Sequence, residues 1–400
     1  MKHTDHFPPS REAALERVQA IDPQDYACSR NFLEGAVTAL SPYITHGVVS
    51  LPEVLGAVRS RHELGAQDKF TMELGWREFF AHVWAHRGDG ILESLHEGPL
   101  PDAAYGDALP PEIRQARTGV PVIDLAVRTL YETGYLHNHA RMWLASYCVH
   151  LRKVHWCVGA DWMYAHLLDG DLASNHLSWQ WVAGTASHQP YLFNADNVAR
   201  YAPQAWHSFD SVIDRSYEAL GLIAQEPRSL KPDARLGLSA KNDSALLVEP
   251  ALTPVPPEDV GFTQPRPDLV RHQRVWLVHP WSLGELPKAL PAGTVVLGVV
   301  LRDFHNRWPW SDRRWRFVGQ RMAELTPNRW YGDAAALQEA LQGAQLVSSI
   351  DTLHLKPWLA QLATCEPQPL LFGSLEKRCD SFSKWWRVST QGAHWRENLG

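Results

Sequence analysis

Up to about residue 225 the apolar positions recur at three- and four-residue intervals, the spacing of one helical face. Past residue 270 they gather instead into short β-branched runs. In the first regime a short helix is expected around Arg11 to Ala20. Ser50, with Glu53 behind it, caps a helix over Leu51 to Arg59. Residues 66 to 86 form an amphipathic helix with Phe70, Leu74, Phe79, Phe80 and Val83 on the apolar side. A Pro- and Gly-dotted loop, Gly88 to Pro111, leads to helices over Pro111 to Arg117, Val120 to Thr133 and Leu136 to Val154. Ser208 to Ala224 reads as one more. In the second regime Arg274 to Pro280, Thr294 to Asp303 and Ala344 to Ile350 read as strands, the first two each followed by a helical pattern. Helices are expected over Arg313 to Leu325 and Asp333 to Leu341. Strands alternating with helices imply a parallel sheet. The fold expected is a mainly α N-terminal domain (1–225), a Pro-rich linker (226–270) and a C-terminal α/β domain with a parallel sheet (271–400).

Composition narrows this picture in three places. No run of about 18 apolar residues exists, so no membrane span is expected, and the N-terminus lacks an apolar signal core, which points to the cytoplasm. Five cysteines without a CxxC pair argue against a disulfide scaffold and against a zinc or iron–sulfur site. The net charge of −6 argues against a general affinity for nucleic acid but leaves a local basic patch open. Eighteen tryptophans pull the other way, toward a cofactor, electron transfer or base stacking.

The densest chemistry lies in Asp161 to Thr185, DWMYAHLLDGDLASNHLSWQWVAGT. Gly170 between Asp169 and Asp171 interrupts an apolar helix and marks a turn or a new helix start. Asp171, Asn175 and Trp179 follow at i, i+4 and i+8, which lines up an acceptor, an amide and a π-system on one helix face. A solvated face rarely carries such a Trp, and a dry core rarely carries such an Asp and Asn. The set suits a flat heteroaromatic ligand.

Four words of this chain, in order, resemble the flavin-binding helical domain of the cryptochrome/photolyase family. DGDLASN with WQW is the first. VTALSPY (Val37 to Tyr43) keeps Thr38, Leu40 and Ser41 of a phosphate-holding word, with Val37 in place of a hydroxyl; by itself it could be two loop hydroxyls beside a Pro turn. ELGWREFF (Glu73 to Phe80) puts Glu73, Trp76 and Arg77 on one helix face, which could equally be an ion pair beside a packing Trp. TGYLHNHARMWLASY (Thr133 to Tyr147) matches at His137, Asn138, Arg141 and Met142, with His139 in place of an Arg that touches DNA backbone. His137 and His139, at i and i+2, diverge on a helix, so no metal site is expected there.

The resemblance implies bound FAD, with Tyr26, Thr38, Leu40, Ser41, Arg77, Asn138, Arg141, Asp169, Asp171 and Asn175 as its contacts. It pairs Asp169 with Arg141 and turns Asn175 toward flavin N5. Trp179 and Trp156 become successive electron donors. The terminal donor of such a relay is missing, since no Trp occurs between Trp84 and Trp143; Tyr105 or another exit route must stand in. Glu73, Trp76, Asn138, Met142 and Trp181 would meet a damaged pyrimidine pair. The implied function is a photolyase splitting cyclobutane dimers in DNA, a carbon–carbon lyase. A cryptochrome-like photoreceptor acting through a signalling partner is the alternative, and a helical module without flavin is a third. The family places its α/β domain before the helical one, so the order here looks permuted and no identity for a second, antenna chromophore follows. A monomer is expected.

Overall fold

Helices begin where the sequence supplies a side chain to hold the first free N–H groups. Asp22, Ser50, Asp171, Asn194 and Ser216 each accept from a backbone N–H two or three residues on, and Ser50 forms a reciprocal capping box with Glu53. Gly134 and Gly184 end two of them in the left-handed region, at φ 68° and 79°, where a side chain would be strained. The computed structural model describes residues 6–230 and 247–391, so the middle of the linker expected over 226–270 lies outside the described residues, as do the first five and last nine positions.

The helix bearing Glu73 is α1 (Lys69–Arg87), that bearing Asn138 is α2 (Asn138–Ser146), and those bearing Trp156 and Trp179 are α3 (Trp156–His166) and α4 (Leu172–Ala183). A final helix, α5 (Phe382–Gln391), follows the α/β part. By internal contacts the chain forms two units, neither continuous in sequence. One takes Asp22–Val37 and His86–Pro250; the other takes Thr38–Ala85, the stretch up to Ile21 from residue 5, and Ala251 onward.

Among the described residues the regular elements of the first unit are helices. Its core sets Trp143, Leu144, Tyr147, Trp156, Met163 and Trp179 among the apolar faces of Pro121–Thr133, α2, α3 and α4. α2 does not run to Val154 as a single α-helix. It passes at Tyr147–Leu151 into one π-helical turn and ends there. Nor is Ser208–Ala224 one helix: only Tyr217–Gln225 is helical, and Ser208 instead accepts at Oγ from the Val122 N–H at 3.0 Å, starting a turn that places Asp210 at φ 60°.

The second unit contains a five-stranded, wholly parallel sheet. Its strands are β1 (Arg274–Val278), β2 (Val295–Leu301), β3 (Arg329–Gly332), β4 (Leu346–Ile350) and β5 (Thr364–Glu366), in the order β3-β2-β1-β4-β5. The central strands β1 and β2 are Val/Leu runs buried on both faces, as parallel strands covered on two sides must be. The segment from His279 to Thr294 that joins them contains no helix, against the sequence reading, because Pro280, Pro287 and Pro291 break the pattern. At the carboxyl ends of β1 and β4, where the strand order reverses, the Trp281 ring stacks on His354 at 4.3 Å and 13°.

Candidate functional site

In the helical unit, α3 and α4 are joined by the turn that Gly170 predicted. Leu168 donates to the Gly134 carbonyl at 2.7 Å, and Asp171, at the N-cap, accepts from Ser174 N–H at 2.8 Å. Asn175 and Trp179 both turn inward from α4. The Asn175 amide donates to the Ala160 carbonyl of α3 at 2.8 Å. The Trp179 ring lies against Gly159, where a Cβ would stand 2.4 Å from two ring carbons, so only glycine leaves room for it. Gly159 was not singled out in the sequence; its only signal was a glycine inside a helical pattern.

Trp156 and Trp179 are each 2% exposed. The Trp156 indole N–H donates to Ser94 Oγ at 3.0 Å, and Ser94 in turn donates to Asp102 at 2.9 Å. Tyr105 and Trp156 both approach the His155 ring, at centroid distances of 6.3 and 5.6 Å. Burial and the Asp102 charge push the Tyr105 hydroxyl up to about 12. Gln180, also not foreseen, spans three groups: its amide donates to the Ile91 and Glu93 carbonyls at 2.8 and 3.1 Å and its oxygen accepts from Leu95 N–H at 2.9 Å. This fixes the 91–95 segment to α4. Trp181, one residue on, is 41% exposed and only tilts toward Tyr191 at 5.8 Å.

Arg141 and Asp169 form a charge-assisted pair. One guanidinium nitrogen donates to both carboxylate oxygens at 2.8 and 3.0 Å, while Nε donates to the Leu136 carbonyl at 2.7 Å. Asp169 is buried at the turn, so this pairing is what makes its burial tolerable. Asn138 is exposed and its amide meets the Met142 sulfur at 3.6 Å. His137 caps α2 by accepting from His139 N–H, and burial lowers its pKa to about 4. His139 is partly exposed. It meets the Asn31 carbonyl at 2.8 Å and stacks on Trp143 at 4.8 Å.

Tyr26 lies on the helix Pro23–Ser29 of the same unit, partly exposed. The remaining named residues belong to the α/β-containing unit. Thr38 Oγ1 accepts from Leu40 N–H at 3.4 Å across Ala39, which adopts φ 48°; Leu40 is buried and Ser41 opens the short helix Ser41–Thr45. Glu73 bonds Lys69 at 2.8 Å, and Arg77 donates to Thr45 Oγ1 at 2.9 Å.

Trp76 is the largest departure. The resemblance turns its ring toward a base, whereas here it stacks on Phe382 of α5 at 3.9 Å and 8°. The rest of the α5 region holds the same face of α1. A Cβ at Gly75 would fall 2.3 Å from the Trp386 ring. Glu78 accepts from the Leu371 and Phe372 N–H groups, the second at 2.9 Å, and His82 accepts from Cys379 N–H at 3.0 Å. Burial raises the Glu78 pKa to about 7 despite these two donors.

Residues 70–207 match the family described as the FAD binding domain of DNA photolyase. The deoxyribodipyrimidine photo-lyase of a Synechococcus species is 33% identical over 196 residues, which cover 44% of this chain and 39% of that one. The deoxyribodipyrimidine photo-lyase of Streptomyces griseus is 37% identical over 165 residues, covering 41% and 36%. Among solved structures, a Synechocystis cryptochrome shares 26% identity with a TM-score of 0.42, over 48% of this chain and 43% of that one. The chain thus spans well under half the length of these two curated relatives. No helix among the described residues is long and apolar enough to cross a membrane.

Proposed function

We propose, on the premise that residues 70–207 form an FAD-binding domain of the cryptochrome/DNA photolyase family, that this chain is a blue-light-dependent flavoprotein splitting cyclobutane pyrimidine dimers. FAD held here would supply light-driven one-electron chemistry, and the chain's own residues would supply positioning and electrostatics. The donor set of the helical unit fits such a group. The Arg141–Asp169 pair brings a guanidinium held in fixed orientation, Asn175 an amide, and Asp171 a carboxylate at the α4 N-cap, which together suit the donor–acceptor edge of an isoalloxazine. By resemblance alone, Thr38, Leu40, Ser41 and Arg77 take the phosphates and Tyr26 adds a further contact. Trp179 and Trp156, both out of water, are the redox-active rings.

The observation that carries this reading is α4 itself: one helix turns Asn175 and Trp179 inward and leaves the Trp181 ring 41% exposed two residues later. An exposed indole on the face of α4 away from the inward pair suits stacking of an extruded base, worth about 1–3 kcal/mol against an extrusion cost of a few kcal/mol. Asn138 and Met142 offer an amide and a thioether to the same lesion; by resemblance alone, Glu73 would add a carboxylate. The test is an absorbance spectrum of the purified chain followed by repair of a dimer-bearing oligonucleotide under blue light. A flavin spectrum with light-dependent loss of dimers supports the reading; a colourless protein ends it.

A second reading is favoured by one specific observation. Trp76 is stacked on Phe382, so one face of a lesion platform built on Trp76 is taken by the chain's own aromatic ring. A flavin spectrum without dimer repair would then mark a photoreceptor acting through a partner protein.

A further inference from the structure

Cys157 and Asp161 stand one turn apart on α3, and His176 faces them from α4. The His176 Nε2 lies 2.8 Å from Asp161 Oδ1, and the Cys157 sulfur lies 3.8 and 3.9 Å from the two oxygens of that carboxylate. One ligand atom from each residue falls within 4.8 Å of the others. His176 is fully enclosed, and its Nδ1 stands 2.9 Å from the Leu172 carbonyl. A carbonyl only accepts, so Nδ1 carries a proton and Nε2 is the ring atom that faces the carboxylate. Two acceptors at that distance call for a cation, either a second ring proton or a metal ion.

Three features separate these possibilities in favour of a metal. The imidazole is oriented by a backbone carbonyl through its other nitrogen, the arrangement that holds a metal-ligating histidine in its tautomer. The Cys157 thiol, which meets both Asp161 oxygens, stands within reach of the same point and offers a soft third ligand. Asp161 is 48% exposed and Cys157 partly so, which leaves an entry path and room for water. One sulfur, one imidazole nitrogen and one carboxylate oxygen form a borderline-soft set that suits Zn²⁺ better than Mg²⁺ or Ca²⁺, which prefer all-oxygen sites.

We propose that Cys157, Asp161 and His176 bind one Zn²⁺, with water in the fourth position, as a clasp between α3 and α4. Binding releases the thiol proton to solvent, since the coordinating sulfur is a thiolate. The ion draws together the two helices that carry Trp156, Asn175 and Trp179, and it does so whether or not the flavin reading holds.

The experiment loads the chelator-treated full chain with Zn²⁺ or Co²⁺ by dialysis and measures metal content and the Co²⁺-minus-Zn²⁺ difference spectrum, in which flavin absorbance cancels. One equivalent of either metal is expected, with a sulfur-to-cobalt charge-transfer band and a raised unfolding temperature. Cys157→Ser should abolish that band, and Asp161→Asn should weaken Zn²⁺ binding by roughly tenfold or more. Both sites reach solvent, and circular dichroism checks that the variants fold. If the parent retains no metal or shows no thiolate band, or if Cys157→Ser leaves the band in place, the proposal is overturned.

Discussion

α4 and α1 each carry a tryptophan that the family resemblance makes functional, and the two helices treat it differently. On α4 the inward ring, Trp179, is seated by a glycine only twenty residues upstream, while Trp181 is left in solvent. On α1 one face of the Trp76 ring is taken by Phe382, and Trp386 fills the notch at Gly75. The first arrangement is made from neighbouring elements. The second is made from the far end of the chain. A motif therefore fixes which side chains stand on a helix face, and whatever packs on that face decides whether a ligand can reach them.

The strongest way to break this contrast is to remove the cover. Trp386→Ala empties the notch at Gly75 in a well-packed aromatic cluster with Phe372, Phe382 and Trp385. A loss of about 3–5 kcal/mol of unfolding free energy is expected by urea titration, as for other large-to-small aromatic changes in cores. A loss below about 1 kcal/mol would mean that α5 is loosely held, and that Trp76 is readily uncovered.

Glu78 sharpens the same point through pH. Its pKa in the fold is raised to about 7 from an ordinary carboxyl value of 4.5. The fold therefore favours the protonated form, and this contribution is complete below the unfolded pKa and lost as pH rises through about 7. Stability of the parent should fall by on the order of 2–3 kcal/mol from this group between mildly acidic and mildly alkaline pH, while Glu78→Gln should lack that fall. His279 in the same unit, lowered to about 4 by burial, works in the opposite direction, so the difference between variant and parent isolates Glu78. Equal pH profiles for the two proteins would show that the carboxyl is not buried as described.

On α4 the corresponding break is smaller. Gly159→Ala places a methyl against the Trp179 ring and should cost about 1–3 kcal/mol by overpacking, although alanine is the better helix former. If the variant is as stable as the parent, Trp179 is not wedged against α3. Flavin content on purification is the second readout, expected to fall if the ring moves.

Much of this architecture was legible because local chemistry determined it. Ser50 with Glu53 announced a helix start, Gly170 between two aspartates announced a turn, and the valine runs of β1 and β2 announced buried strands. β3 was missed because RWYG shows neither alternation nor a β-branched run, and its strand character comes from pairing with β2. The turn at Ser208 was missed because an apolar spacing over Ser208 to Ala224 mimics a helix, while a hydrogen bond from Val122 captures its first residue. Within the candidate site, the types at Asp169, Asp171, Asn175 and Trp179 could be read, and the stack on Trp76 could not. Phe382 lies on α5, a helix that no sequence expectation contained. The Cys157, Asp161 and His176 group was hidden for a related reason: its members are contributed by two helices, so no motif of fixed spacing contains it.

The last comparison sets Trp181 directly against Trp76. Removing an indole that is 41% exposed leaves little packing behind, so Trp181→Ala should change stability by less than about 1 kcal/mol. If that ring stacks on an extruded base, the variant should bind a dimer-bearing oligonucleotide about 1–3 kcal/mol more weakly, measured at fixed salt. Trp76→Ala should behave in the reverse way: it strips Phe382 of its stacking partner and destabilises the fold, while affinity for the lesion stays put. Should Trp76→Ala lose the affinity and Trp181→Ala keep it, α5 must leave α1 when DNA arrives, and the contrast between the two helices would belong only to the unliganded chain.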